Sequence, residues 1–420
     1  MGIIEEFSVT QWQNFGKQYW GKNPVVLKTE PLATAAEAFQ ALINMCDAYR
    51  AGEEGPTSET LRLAVEHRKL EADVHRHLPM AEDGSVAQYG ARLERELQTK
   101  SFFIYARDIQ VHSPLLWERA RDFLKGLFDE VGMPAGHVEL EIFFGRYEFT
   151  TGGIHRENCS NLHCVLEGHK RMRVWPKDDL SIGSSAMNRA EVYASYLDAT
   201  NIKSYLDRAV TLDGRAGDIL YWPAEAWHVG EAPELCLCLN IALYMEGKAS
   251  DLVTNIMSSL VSARLGSTDH VTSYRLDTNS NTKQALPKEI EKTVKTLLDI
   301  SSSTALSGLI AAEWLKRLTG FGFEKLPRQS SQITLPDEAI ICGNAKYPIL
   351  WMQPNEEELV YASNGYTASV PPRFGITNLI ERLNQGEPIV VAELLCGDSS
   401  PEELRAILGI LYAMRAITVC

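Results

Sequence analysis

At 420 residues and 45% hydrophobic content, the chain is long enough for two or three domains with real cores, which excludes global disorder. Its formal charge of −14 argues against a general nucleic-acid binder, because phosphate binding draws on concentrated Lys and Arg. The eight cysteines form no CxxC pair, so neither a zinc site nor a disulfide framework is expected, and a reducing cytoplasm fits best.

The opening MGIIEEFSVTQWQNF has no basic region followed by an apolar run, so no secretory signal is read there. No apolar stretch reaches the roughly 18 residues of a membrane helix, so a soluble protein without a membrane partner is expected. Ser8-Val9-Thr10-Gln11 reads as a capping box opening a helix through Trp20, and PVVLK (24–28) reads as a strand. A second capping box, Thr34-Ala35-Ala36-Glu37, opens a mostly helical stretch to about Leu97, with breaks near Gly52 to Pro56 and Pro79 to Gly84. SFFIYARDI (101–109) has the apolar and aromatic content of a buried strand. Ser113 to Val131 predicts an amphipathic helix with Leu115, Leu116, Phe123 and Leu127 on its apolar side.

From His137 to Tyr244 the pattern becomes short strand-like runs separated by Gly, Pro and Asp, which predicts a barrel or jelly roll, interrupted by a helical piece at 189–208. HKRMR (169–173) alternates as a strand with one charged face, and Cys236 and Cys238 are expected to be face-mates or core neighbours. After Gly247 helices are expected at 252–265, 288–300 and 305–318, with a polar loop at 267–283. From about Leu335, short strands (358–370) and helices (374–386, 401–417) suit a small α+β domain of winged-helix type.

The chemistry concentrates on His155-Arg156-Glu157 and, much later, on His228 within GDILYWPAEAWHVGE (217–231). Residues i and i+2 on a strand share a face, so His155 and Glu157 can both look into a barrel while Arg156 looks out. Two imidazoles and one carboxylate are the donor set of a facial non-haem Fe(II) site. Each piece also has a plain reading: H-x-E is common on strands, and His228 alone reads as a hydrogen-bonded core histidine. The other histidines (His67, His75, His77, His112, His137, His163, His169, His270) have no partner at ligand spacing, although His163, two residues from Asn161, can line the same interior.

HRENCSNLHCVLEGHKRMRVWP resembles the strand pair of the jumonji-C family of 2-oxoglutarate oxygenases in the cupin superfamily. That family carries H-x-D, a polar residue six positions after the first histidine and a lysine fifteen after it; here Asn161 and Lys170 stand at those positions. GDILYWPAEAWH mirrors the phrase that precedes its third ligand. The resemblance covers roughly residues 100–245, and the extensions beyond it resemble the ribosomal-oxygenase branch in architecture. It implies a mixed α+β fold: a double-stranded β-helix (jelly-roll, cupin) core with flanking helices and a winged-helix-like domain. The expected division is a catalytic domain over 1–248, a helical region over 249–325 that is a candidate for dimerisation, and the winged-helix-like domain over 326–420.

The resemblance also implies Fe(II) held by His155, Glu157 and His228, with 2-oxoglutarate as co-substrate and O2 as oxidant. Lys170 would pair with the distal carboxylate of 2-oxoglutarate, and Asn161, Asn240 and Tyr105 are further co-substrate candidates. For Asn240 and Tyr105, core packing is the competing reading. One departure matters: Glu157 stands where the family usually has Asp.

The implied activity is hydroxylation of an amino-acid side chain in a peptide or protein, with 2-oxoglutarate decarboxylated to succinate and no protein acid or base required. The extra helices exceed what a small-molecule cupin needs, which favours a peptide or protein substrate, with nucleic acid not expected and a homodimer open. N-methyl-lysine demethylation, a cupin isomerase and a non-catalytic cupin/winged-helix binding protein are the alternatives.

Overall fold

The structure, a computed structural model, describes residues 2–5, 7–8, 11–52, 60–66, 68–70, 74–178, 194–196, 199–266, 286–372, 375–395 and 400–420. His67, His270, the expected loop at 267–283 and most of the break at 52–56 lie outside the described residues. The chain divides into two compact units, residues 1–246 with 322–328, and residues 247–321 with 329–420.

The first unit begins with β1 (Gly2–Ile4), α1 (Trp12–Gln18), β2 (Val25–Lys28), α2 (Ala35–Arg50), β3 (Leu61–Val65), β4 (Arg68–Lys69), α3 (Val74–His77), α4 (Val86–Leu97), β5 (Phe102–Ala106) and α5 (Pro114–Val131). The strand-rich part follows: β6 (Val138–Tyr147), β7 (His155–Glu157), β8 (Ser160–Glu167), β9 (His169–Trp175), β10 (Ala194–Tyr196), β11 (Val210–Arg215), β12 (Asp218–Trp222) and β13 (Trp227–Leu243).

These strands form one mixed sheet with two arms that share β13. One arm runs β1-β2-β12-β8-β13-β6-β5-β3-β4, and the other joins β10, β7, β13, β9 and β11. Strand β13 changes arm after Glu231: Trp227 to Glu231 pair with β9, while Ala232 and, past an irregularity, Cys236 to Leu243 pair with β6. Side chains from both arms meet in one apolar core, with Val26, Tyr147, Val165, Leu220, Trp222 and Cys238 from the first packed against Met172, Val174 and Leu212 from the second. That is the sandwich of a jelly-roll core. Fully burying side chains of this size contributes about 1.5–3 kcal/mol each.

The Thr34 capping box forms as expected, with Glu37 N–H donating to Thr34 Oγ1 at 3.2 Å and Thr34 N–H donating to Glu37 Oε2 at 2.8 Å. The helix expected to open at Ser8 starts later: the N-cap of α1 is Gln11, which makes no side-chain cap. Residues 61–65 and 68–69, expected to be helical, are the paired strands β3 and β4, because β3 adds to the sheet beside β5, with Leu63 opposite Ile104. Within the expected helical piece at 189–208, residues 194–196 are instead strand β10, paired with β7, and residues 189–193 lie outside the described set. In α5 the buried stripe is Leu116, Ala120, Leu124 and Leu127, the 3.6-residue period starting one position later than expected, so Leu115 is exposed.

The second unit contains α6 (Ala249–Leu265), α7 (Lys288–Ser301), α8 (Thr304–Thr319), β14 (Ile340–Gly343), β15 (Leu350–Met352), β16 (Leu359–Ser363), β17 (Tyr366–Val370), α9 (Ile376–Asn384), β18 (Ile389–Val390), α10 (Val391–Leu394), α11 (Pro401–Ala413) and β19 (Ile417–Val419). Its two three-stranded sheets, β18-β14-β19 and β15-β16-β17, share a core with α9 and α11 built on Ile341, Tyr361, Leu383, Leu408 and Leu411. The expected helix at 401–417 ends at Ala413, and its last residue opens β19. Cys342 on β14 is disulfide-bonded to Cys420, a bridge that the composition argued against. No helix among the described residues is long and apolar enough to cross a membrane.

Gly168, between β8 and β9, has φ +81°, and a Cβ there would meet Leu235 O at 2.1 Å. Gly132 has φ +85° with nothing within 4 Å of such a Cβ. Gly168→Ala is therefore expected to cost about 1–3 kcal/mol or more in chemical denaturation, and clearly more than Gly132→Ala, whose cost is backbone strain alone.

Candidate metal centre

Strand register assembles the centre. His155 on β7 lies directly opposite His228 on β13, and Glu157 follows two residues along the same face of β7. The imidazoles come within 4.3 Å between ring centroids, tilted by 53°. His155 Nε2 is 3.7 Å from Glu157 Oε1, and one donor atom from each of His155, Glu157 and His228 lies within 4.8 Å of the other two. The sequence-predicted triad is thus brought together, on strands far apart in the sequence.

Each histidine is held from behind. His155 Nδ1 bonds the Gly153 carbonyl at 2.9 Å, and His228 Nδ1 bonds the Ala226 carbonyl at 3.0 Å. A carbonyl can only accept, so each Nδ1 carries a proton and Nε2 is the ring nitrogen suited to a ligand-binding role. Burial, then the neighbouring His155, hold His228 well below the ordinary histidine range, so it stays a neutral donor.

Lys170 is fully buried on the inner face of β9. Its Nζ donates to Tyr147 Oη at 2.5 Å and lies 4.8 Å from the centre of that ring. Among the described residues no carboxylate pairs with it, and burial lowers its pKa. The room for its head group comes from Gly230, where a Cβ would stand 2.7 Å from Nζ and 3.1 Å from Met172 Sδ. Arg171 and Arg173, on the outer face of β9, pair with Asp213 and Glu231, the charged face read in HKRMR.

Asn161, Asn240 and Tyr105 belong to one buried network. Asn240 Nδ2 donates to Asn161 Oδ1 at 2.8 Å and to Glu141 Oε2 at 2.7 Å, and Tyr105 Oη donates to Glu141 Oε1. With both amide hydrogens committed, Asn240 Oδ1 accepts from His163 Nδ1 at 3.2 Å. His163 Nε2 and Trp222 Nε1, both on the inner face, have no hydrogen-bond partner among the described residues. Burial and the nearby Lys170 keep His163 well below the ordinary histidine range.

Glu141, Tyr147, Cys159 and Gly230 went unread in the sequence. The available signal was the alternation Glu139, Glu141, Phe143, Gly145, Tyr147 along β6, which puts acids and aromatics on one face. Cys236 and Cys238 are face-mates as expected, with sulfurs 3.5 Å apart in the core.

Burial, then the charges of Glu139 and Glu157, push Glu141 up to about 8. Its folded value lies above the ordinary 4.5, so its contribution to stability is fully present below about pH 4.5 and is lost as pH rises through about 8. Glu141→Gln removes that dependence. The melting temperature of the variant relative to wild type is expected to rise from acidic pH to pH above 8, and a constant difference across that window would contradict a buried protonated acid.

No family model matches the sequence, and no curated protein matches it. Solved structures do. The X-ray structure of ycfD from Escherichia coli shares 16% identity, covers 97% of this chain and 98% of its own, and superposes with a TM-score of 0.50. A structure of the same protein, described as a ribosomal oxygenase in complex with cobalt and 2-oxoglutarate, shares 14% identity over 97% of this chain and 98% of its own, at a TM-score of 0.47. A further one, with cobalt and succinic acid, shares 15% identity over the same fractions, also at 0.47. At these identities the likeness is one of fold: this chain has the fold of the E. coli ycfD structure over nearly the whole of both chains.

Proposed function

We propose that this chain is an Fe(II)- and 2-oxoglutarate-dependent oxygenase that hydroxylates an amino-acid side chain in a peptide or protein. The observation that carries the reading is Lys170, a buried cation with no carboxylate beside it among the described residues, in the same interior as a two-histidine, one-carboxylate cluster. An uncompensated buried ammonium costs several kcal/mol, so its retention fits a site whose anion arrives with the ligand. A dicarboxylic keto acid supplies that anion at one end and a metal chelate at the other.

The residues fit both groups. His155, Glu157 and His228 would hold Fe(II) on one face, the donor set of non-haem oxygenases. Lys170, steadied by Tyr147, would take the distal carboxylate, in the space that Gly230 leaves open. The orphaned His163 Nε2 and Trp222 Nε1 offer further polar contacts to whatever fills the interior. Asn161, Asn240 and Tyr105, committed to Glu141 and to one another, would shape the wall beside the ligand. Bound iron with 2-oxoglutarate and O2 would supply the oxidising chemistry, with 2-oxoglutarate converted to succinate and CO2. The chain's part is to hold, orient and exclude water.

The segment 326–420 is read as a winged-helix-like module, and a protein substrate, such as a ribosomal protein, suits a chain with this much structure outside the barrel. The helical region is read as a homodimer contact, since Ile290, Val294, Leu297 and Leu298 leave an exposed apolar stripe along α7.

Anaerobic titration with Fe(II) and then 2-oxoglutarate tests the activity class, the expected sign being a weak visible charge-transfer band. Lys170→Ala is expected to weaken 2-oxoglutarate binding about 100-fold or more with metal affinity unchanged. Absence of the band in wild type, together with no succinate release above background, would leave a non-catalytic binding protein. Mass spectrometry of candidate peptides for a gain of one oxygen identifies the substrate. Light scattering is expected to report a dimer that Val294→Glu with Leu297→Glu converts to a monomer; a monomeric wild type contradicts the α7 contact.

A further inference from the structure

Glu157 has one more methylene than the aspartate of the motif it resembles, and so one more rotatable bond to fix before it can serve as a ligand. The residues around it form an unbroken hydrogen-bonded chain. Cys159 lies buried in the two-residue connection between β7 and β8, and its thiol reaches Glu157 Oε2 at 3.6 Å. Asn161 Nδ2 donates to the Cys159 carbonyl at 3.3 Å and to its sulfur at 3.5 Å. Beyond Asn161 the chain continues through Asn240 to Glu141 and Tyr105.

These contacts set a direction. The sulfur accepts from Asn161, and its single proton is left to point at Glu157 Oε2. The other carboxylate oxygen, Oε1, is the one turned toward His155 Nε2.

We propose that Cys159 is a positioning residue that occupies Oε2 of Glu157, so that the longer carboxylate presents Oε1 alone to the metal. The thiol thereby compensates for the extra methylene, and Asn161 and Asn240 brace the thiol. The inference rests on the metal-binding reading of His155, Glu157 and His228. It predicts that Cys159 matters only while residue 157 is glutamate, because a shorter aspartate withdraws from the sulfur.

The test is a cycle of four proteins, wild type, Cys159→Ala, Glu157→Asp and the double variant, with Cys159→Ser as the conservative replacement. Co(II) affinity is measured by calorimetry, and Co(II) geometry by its visible d–d spectrum, both without turnover. Cys159→Ala is expected to lose about tenfold in Co(II) affinity with an altered spectrum, within the range for residues that orient metal ligands. Cys159→Ser, which keeps a donor, is expected to recover most of that loss. In the Glu157→Asp background, Cys159→Ala is expected to change affinity less than about twofold, a coupling that a merely structural cysteine does not produce. Wild-type Co(II) binding with Cys159→Ala unchanged, or with an equal loss in both backgrounds, overturns the role of Cys159. Failure of folded wild type to bind Co(II) at all overturns the metal-binding reading beneath it. Should Cys159→Ala misfold, judged by circular dichroism, Cys159→Ser against wild type in both backgrounds carries the same comparison, and a loss that persists with aspartate counts against the proposal.

Discussion

Strand β13 spans seventeen residues and pairs with β9 and β7 at one end and with β6 and β8 at the other. Because it serves both arms of the sheet, the irregularity between Ala232 and Cys236 decides which residues meet inside. On one side of it His228 faces His155; on the other Asn240 reaches Asn161, His163 and Glu141. A one-residue slip would turn each of these side chains to the opposite face, so register here is a constraint on chemistry as much as on packing.

The interior this creates is unusually polar for a fold core. Lys170, Glu141, His163, Asn161 and Asn240 are all buried. Leaving a buried polar group unpaired costs about 1–3 kcal/mol, and a buried charge more. Most of the groups are satisfied by one another, which argues for a rigid network. The exceptions, Lys170 without a carboxylate and the two orphaned ring nitrogens, cluster in the same place. Such a grouping fits a region shaped for an occupant.

How much of this could be read from the chain followed the range of the signal. His155 with Glu157, and Asn161 and Lys170 at their offsets, are short-range spacings on paired strands, where alternation fixes which residues share a face. Their partners are set by register between distant strands, which no local pattern carries. Tyr147 beneath Lys170 and Glu141 beside Asn240 are of that kind. Residues 61–65 look helical beside their helical neighbours, and only the open side of β5 makes them a strand. Leu115 and Ser8 show the fineness of the limit, since one position along a helix face or one turn at its start was enough to mislead. The Cys342–Cys420 bridge depends on β14 and β19 being neighbours, again a matter of topology.

Both imidazoles of the centre are locked by a carbonyl two residues upstream, Gly153 for His155 and Ala226 for His228. Orientation of the donors is thus entrusted to main chain, and a peptide oxygen survives almost any replacement of the side chain that bears it. Natural variation around the ligands can be wide without disturbing their aim. The exception is Gly153, whose φ of +63° closes the turn that delivers its oxygen. There the backbone angle itself is what heredity has to preserve, and glycine is the residue that adopts it without strain.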